Sequence, residues 1–127
     1  MVNAKKKIIV IGSNSFSGGF IIKKLLLKNY KVIGISRSKL NDEHFLPFKY
    51  NDPNFIFFKA DLNKNYKKIF NIIIKNKPDY IINFSAQSMV GQSWDNPIDW
   101  YQTNTLSTIR LYNFIFNYKK IKRLVHI

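Results

Sequence analysis

The chain contains no cysteine, which excludes disulfides and thiolate metal sites alike. Its two histidines, His44 and His126, lie far apart in sequence and fit no ligand spacing, so no metal site is expected. No apolar run approaches the roughly 18–20 residues that cross a bilayer. Lys5–Lys7 precede only about four apolar residues before Gly12, short of the roughly 7–15 of a secretory core. The expectation is a soluble, cytoplasmic protein with no membrane partner.

Acidic residues are also scarce, 7 against 21 basic ones, for a net charge of +14. Such a surplus raises the question of nucleic-acid binding. Lysine, however, supplies nearly all of it, and Lys, Asn, Ile, Phe and Tyr are over-used together, as AT-rich codon usage would produce. The lysines are scattered, with short clusters only at Lys5–Lys7 and Lys119–Lys122. No specific nucleic-acid partner is expected, only a modest attraction to anionic ligands.

What is present suits one folded domain over residues 1–127, with 46% hydrophobic residues to build a core. Lys7 to Ile11 is a short β-branched run closed by Gly12, the pattern of a strand covered on both faces. Phe16 to Lys28 reads as a helix on Phe20, Ile21, Leu25 and Leu27, stopped at Asn29. Lys31 to Ser36 is a second buried strand, so the opening is β-turn-α-β with a right-handed crossover. Arg37 to Asn54 reads as loop. Phe55 to Lys59 is a third strand, and Lys64 to Lys77 a helix with Tyr66, Ile69, Phe70 and Ile73 on one face, ended by Pro78. Tyr80 to Phe84 is a fourth strand and Ser85 to Ser93 a loop. Asn96 as N-cap, Pro97 and Asp99 start a helix that runs to about Tyr118. Arg123 to Ile127 begins a fifth strand, and a natural domain rarely ends inside one, so the chain reads as the N-terminal part of something longer.

Two places carry chemistry. The spacing Gly12-x-x-Ser15-x-x-Gly18 follows a strand and opens a helix, the layout of a dinucleotide-phosphate cradle. Gly12 permits the sharp exit from the strand, Ser15 sits where backbone must come close to a pyrophosphate, and Gly18 lets the helix lie near the sheet. The helix N–H groups would then receive phosphate. The alternative is simply a tight strand-to-helix turn. At the end of the second strand, Ser36-Arg37-Ser38 puts arginine where an acid would suit the ribose of NAD. Arginine suits the 2′-phosphate of NADP, or is an exposed loop residue.

Gly12 to Gly18, then Asp61-Leu62 after the third strand, then Asn83-Phe84-Ser85-Ala86 after the fourth, resemble in order and spacing the extended short-chain dehydrogenase/reductases. These are NAD(P)-dependent sugar-nucleotide epimerases and dehydratases. The run Asn83 to Pro97, with Ala86-Gln87-Ser88, is most similar to the GDP-mannose 4,6-dehydratase branch, and Asn104 and Thr108 match the family's Asn-x-x-x-Thr. The resemblance covers the whole chain. It implies a three-layer α/β Rossmann-type fold with a parallel sheet in the order 3-2-1-4-5, cut off after the fifth strand. Residues 1–127 would be an incomplete NAD(P)-binding domain without its C-terminal substrate-binding part.

The roles it implies are specific. Gly12, Ser15, Phe16 and Gly18 form the phosphate loop, while Arg37 with Ser36 or Ser38 holds the adenosine 2′-phosphate. Asp61 bonds the adenine amino group and Leu62 lies against the ring. Ser85 and Ala86 line the central ribose and nicotinamide side, and Gln87 and Ser88 face the sugar nucleotide. Asn83 and Asn104 are structural. The cofactor implied is NADP rather than NAD, the substrate a sugar nucleotide such as GDP-mannose, and the full-length assembly a homodimer. The alternatives are a 4-epimerase of the same family or a non-catalytic nucleotide-binding regulator on the same fold.

Three departures stand out. Ser15 replaces the usual middle glycine, which implies a weakened phosphate contact rather than lost binding. Met89 stands where the dehydratases often carry histidine. The chain also ends before the family's catalytic Ser/Thr and Tyr-x-x-x-Lys, so no catalytic residue is assigned and the chain alone is expected to be inactive. Tyr118-Lys119-Lys120-Ile121-Lys122 satisfies Tyr-x-x-x-Lys by letter only. It precedes the fifth strand, far from where acid and substrate would meet.

Overall fold

A computed structural model describes residues 5–127. Five strands, β1 (Lys7–Ile11), β2 (Lys31–Ser36), β3 (Phe55–Lys59), β4 (Tyr80–Asn83) and β5 (Arg123–His126), form one parallel sheet in the order β3-β2-β1-β4-β5. The helices are α1 (Phe16–Leu27), α2 (Tyr66–Asn76), α3 (Val90–Asp95), α4 (Pro97–Trp100) and α5 (Thr108–Tyr118), with a π-helical stretch, Tyr101–Ser107, joining the last two.

Alternation along the strands sorts the core into two layers. Ile8, Val10 and Val32 face one side, where Ile22 and Leu25 of α1 cover them. Ile9, Ile11, Ile33 and Ile35 face the other, against Ile69, Ile72 and Ile73 of α2 and Leu111 of α5. This is the three-layer sandwich expected from residues apolar on both faces of β1 and β2. Each fully buried isoleucine contributes about 1.5–3 kcal/mol relative to an exposed one. On the second face Phe70 stacks on Phe114 with ring centroids 4.0 Å apart, tying α2 to α5.

Four local expectations are corrected. Of the expected face of α1, Leu25 is buried and Ile21 half-buried against the core, but Phe20 and Leu27 are exposed, Leu27 by 78%, and Gly18, Gly19 and Ile22 complete the buried side. The helix is apolar in more than one phase, and the two glycines sit on its packed side, Gly18 against the Gly12 turn and Gly19 against Pro47. The segment Ser85 to Ser93 is not all loop, because α3 begins within it at Val90. Asn96 makes no side-chain capping bond, although Pro97 does occupy the first turn. The helix to Tyr118 is interrupted by the π-helical stretch, where the Thr108 hydroxyl donates to the Thr103 carbonyl at 3.4 Å. The loop after β2 contains one 3-10 turn, Glu43–Phe45.

Three helices are ended by left-handed residues, among them α5 by Lys119 at φ +54°. Asn29, at φ +62°, follows α1 and donates its N–H to Leu26 O. Lys77, at φ +48°, ends α2 because Pro78 disfavours the helical region in the residue before it.

Candidate functional site

The chain leaves β1 through Gly12 at φ +80°, a conformation that L side chains rarely adopt. A Cβ there would also sit 2.8 Å from the Phe84 carbonyl carbon and 2.9 Å from the Ser85 nitrogen. Gly12 therefore lets the ends of β1 and β4 approach closely. Ser15 then caps α1: its hydroxyl accepts from the Gly18 N–H at 3.0 Å, and its φ of −69° is ordinary for any residue. That is why serine stands without strain where a glycine is usual. Gly18 has its own reason, since a Cβ there would run into the Gly12 carbonyl oxygen. The first-turn N–H groups of Phe16 and Ser17 are among the donors that helix geometry leaves without an intrahelical partner.

The carboxyl ends of β1, β2, β3 and β4 open onto a cleft of about 280 Å³, at the point where the strand order reverses. Gly12 and Ser15 line it from the turn, and Ser36, Arg37 and Ser38 from the end of β2. Asp61 and Leu62 line it beyond β3, and Ser85, Ala86 and Gln87 beyond β4. Arg37 and Asp61 are its two charged side chains. The donor set suits a phosphate-bearing ligand: a cation, three serine hydroxyls along Ser36–Ser38 and Ser15, and a helix N-terminus.

The cleft does not gather every residue singled out. Phe16 does not line it; its ring is 81% exposed and lies 4.7 Å from that of Phe20. Gly18 and Ser88 are also outside its lining. Asn83 is fully buried below it, where its Oδ1 accepts from the Ser85 N–H at 3.0 Å and its Nδ2 lies 3.1 Å from His126 Nδ1. Asn104 lines a second, aromatic cavity with Trp94, Trp100 and Tyr101. Its carboxamide grips the Gln87 peptide on both sides, accepting from N at 2.8 Å and donating to O at 3.0 Å.

Three further polar residues line the cleft without having been singled out: Asn14, Asn63 and Thr103. Asn14 Nδ2 donates to Ser38 Oγ at 2.8 Å and to Lys39 O at 2.6 Å, tying the glycine turn to the loop that carries Arg37. Asn63 and Thr103 are joined by a hydrogen bond of 2.9 Å. A signal existed for Thr103, because Thr103, Ser107 and Thr108 recur at helical spacing and put their hydroxyls on the buried side.

Tyr118 and Lys122 lie at the other edge of the sheet. Lys122 Nζ sits 2.6 Å from Asp79 Oδ1, beside the start of β4, and the Lys7 N–H bonds the other oxygen at 2.9 Å. The hydrogen bond from Lys122 and that from Lys7 hold the Asp79 carboxyl below the usual range, and the same pairing raises Lys122. Among the described residues no cluster of His, Cys, Asp and Glu could hold a metal, and no helix is long and apolar enough to cross a membrane.

A family model described as GDP-mannose 4,6 dehydratase matches residues 9–127. The chain belongs to that family. Within it, the GDP-mannose 4,6-dehydratase of Vibrio cholerae is 32% identical over 114 residues, which is 84% of this chain and 30% of the relative. Among solved structures, the UDP-Glc/GlcNAc 4-epimerase of Campylobacter jejuni aligns over 95% of this chain and 36% of its own, at 20% identity and a TM-score of 0.82. The dTDP-glucose 4,6-dehydratase of Bacillus anthracis, solved in complex with NAD, aligns over 95% and 36%, at 23% identity and a TM-score of 0.76. These structures share the fold. The chain spans about a third of the length of the relatives it matches.

Proposed function

We propose that this chain is the dinucleotide-binding part of an NADP-dependent sugar-nucleotide 4,6-dehydratase acting on GDP-mannose. The observation that carries the reading is the convergence of the Gly12–Ser15 turn, Arg37, Asp61–Leu62 and Ser85–Gln87 on one cleft at the switch point, in a chain of this family. The glycine turn fits the cofactor's pyrophosphate, because backbone can approach it where Gly12 and Gly18 carry no Cβ. Arg37, with Ser36 and Ser38, holds the 2′-phosphate. Asp61 accepts from the adenine amino group, Leu62 packs on the ring, and Ser85 and Ala86 line the ribose and nicotinamide side. Gln87 and Ser88 face the sugar nucleotide. Asn83 and Asn104 brace the wall that carries them, and Phe16 and Gly18 act through the helix start rather than by lining the cleft.

When bound, the nicotinamide supplies the hydride acceptor and donor for oxidation at the sugar's C4. This chain's own contribution is to bind and orient. Its single Tyr-x-x-x-Lys lies at the opposite edge of the sheet, so residues 1–127 by themselves are proposed to bind cofactor and not to turn substrate over. The full-length enzyme is proposed as a cytoplasmic homodimer. The exposed Ile98 of α4, Tyr101 of the π-helical stretch and Ile109 and Phe116 of α5 offer an apolar surface for pairing.

Isothermal titration of NADP and NAD against this chain tests the cofactor. Tighter NADP is expected. No binding of either would sink the reading, and tighter NAD would remove the role given to Arg37. A 4-epimerase is the second reading, favoured by the structural match to the Campylobacter jejuni enzyme. Incubating the full-length protein with GDP-mannose and with UDP-glucose separates the two: a 4-keto-6-deoxy product supports the dehydratase, and UDP-galactose the epimerase.

A further inference from the structure

Both side walls of the cleft are fastened to one helical stretch, Tyr101–Ser107. Asn104 grips the Gln87 peptide on one side. On the other, Thr103 Oγ1 accepts from Asn63 Nδ2 at 2.9 Å, and Ser107 Oγ donates to Asn63 Oδ1 at 2.7 Å. Thr103 and Ser107 are 9% and 1% exposed, so these bonds are shielded from water and leave little alternative partner for either hydroxyl.

The consequence runs back to Asp61. The Asn63 backbone N–H donates to Asp61 Oδ1 at 2.7 Å, and the Asp61 N–H donates to Asn65 Oδ1 at 3.1 Å. One carboxylate oxygen is thereby held, and among the described residues no protein donor reaches the other. The order of the chain is therefore helix to Asn63 side chain, Asn63 backbone to Asp61 carboxylate, and carboxylate to ligand.

We propose that Asn63, latched by Thr103 and Ser107, is a positioning residue that fixes the reach of the Asp61 carboxylate toward the 6-amino group of an adenine dinucleotide. The latch makes selection of adenine depend on Thr103 and Ser107, which act on Asp61 only through Asn63. It rests on the cofactor reading above and adds the residues that orient Asp61.

The test is a ratio. NADP and its 6-deamino analogue, with hypoxanthine in place of adenine, are titrated calorimetrically into the wild-type chain and its variants. Wild type is expected to prefer NADP by about 2- to 10-fold, the range that one hydrogen bond of this kind supports. Thr103→Val removes the hydroxyl at nearly constant shape and should bring the ratio to about 1. Thr103→Ser restores the hydroxyl and should restore the preference. A general loss of fold would weaken both ligands alike and leave the ratio unchanged.

Should Thr103→Val fail to fold by far-UV circular dichroism, Asn63→Ala, on the loop side of the same bond, carries the same expectation. Full retention of the preference in Thr103→Val or Asn63→Ala would overturn the latch while leaving the cofactor reading intact. A wild-type chain that binds both dinucleotides equally would remove Asp61 as the reader and overturn the latch with it. Failure of the wild type to bind NADP would overturn both.

Discussion

Replacing Gly12 by alanine puts the account of the glycine turn at risk most directly. Two separate penalties apply. At φ +80° an L-residue is held in the left-handed region, which costs roughly 1–2 kcal/mol. The added Cβ would also lie 2.8–3.0 Å from the Phe84 carbonyl group and the Ser85 nitrogen, all backbone atoms of the adjoining β4 exit. Those atoms cannot swing aside as a side-chain tip can, because Phe84 N is bonded to Ile11 O at 2.8 Å and Ser85 N to Asn83 Oδ1. Overpacking of this kind costs about 1–3 kcal/mol.

The expected sum is about 2–5 kcal/mol, a large share of the roughly 5–15 kcal/mol that holds a domain of this size. Thermal unfolding followed by circular dichroism should show a Tm lowered by on the order of 10 °C. Gly91→Ala is the matched control. It lies in α3 with nothing within 4 Å of the added Cβ, so it should be neutral or raise stability by about 0.5–1 kcal/mol. A Gly12→Ala Tm within 2 °C of wild type, by an estimate at under 1 kcal/mol, would refute the claim that β1 and β4 close onto this residue.

The remaining predictions concern neighbouring contacts. Ser15→Ala removes the acceptor for the Gly18 N–H and should cost about 1 kcal/mol in urea unfolding, whereas Ser15→Gly should cost only a few tenths; equal costs would show that the hydroxyl does not cap. Arg37→Ala should weaken NADP by about 10- to 100-fold in titration and NAD by less than about threefold, as loss of a charge-assisted bond to the 2′-phosphate requires. Asp79 has a folded pKa below its unfolded value, so its contribution is complete above the unfolded pKa of about 3.9 and is lost as pH falls through the folded one. Asp79→Asn should therefore flatten stability against pH below about pH 4 and leave the slope above pH 5 unchanged; an unaltered acid limb would show the pairing with Lys122 to be inert.

The strands were the legible part of this fold, because their signal is local, whereas their order came from the family resemblance. The runs Lys31–Ser36 and Phe55–Lys59 are bounded by polar residues and loop, and β2 and β3 occupy those same residues. The phase of α1 was not legible. Phe-Ile-Ile before two lysines and three leucines after them is apolar in competing registers, and what decides is the contact of Gly18 and Gly19 with neighbouring segments. A glycine counts as a gap in a hydrophobic pattern, yet here it marks the packed side.

The site divides along the same line. Gly12, Arg37, Asp61 and Ser85 each follow a strand, so reading the strands correctly brought them to one cleft. Asn14, Asn63 and Thr103 entered it through side-chain bonds spanning 24 and 40 residues, which leave no periodic trace. Ser15 was legible in place but not in kind. Its position in the glycine spacing suggested a weakened phosphate contact, and its ordinary φ and its bond to Gly18 add a role that the spacing did not suggest, that of helix cap. The backbone freedom that the turn requires is concentrated in Gly12, and the close packing in Gly18. The middle position is then free to supply a hydroxyl, which orders the first turn of α1 and leaves the N–H groups of Phe16 and Ser17 as the turn's uncapped donors.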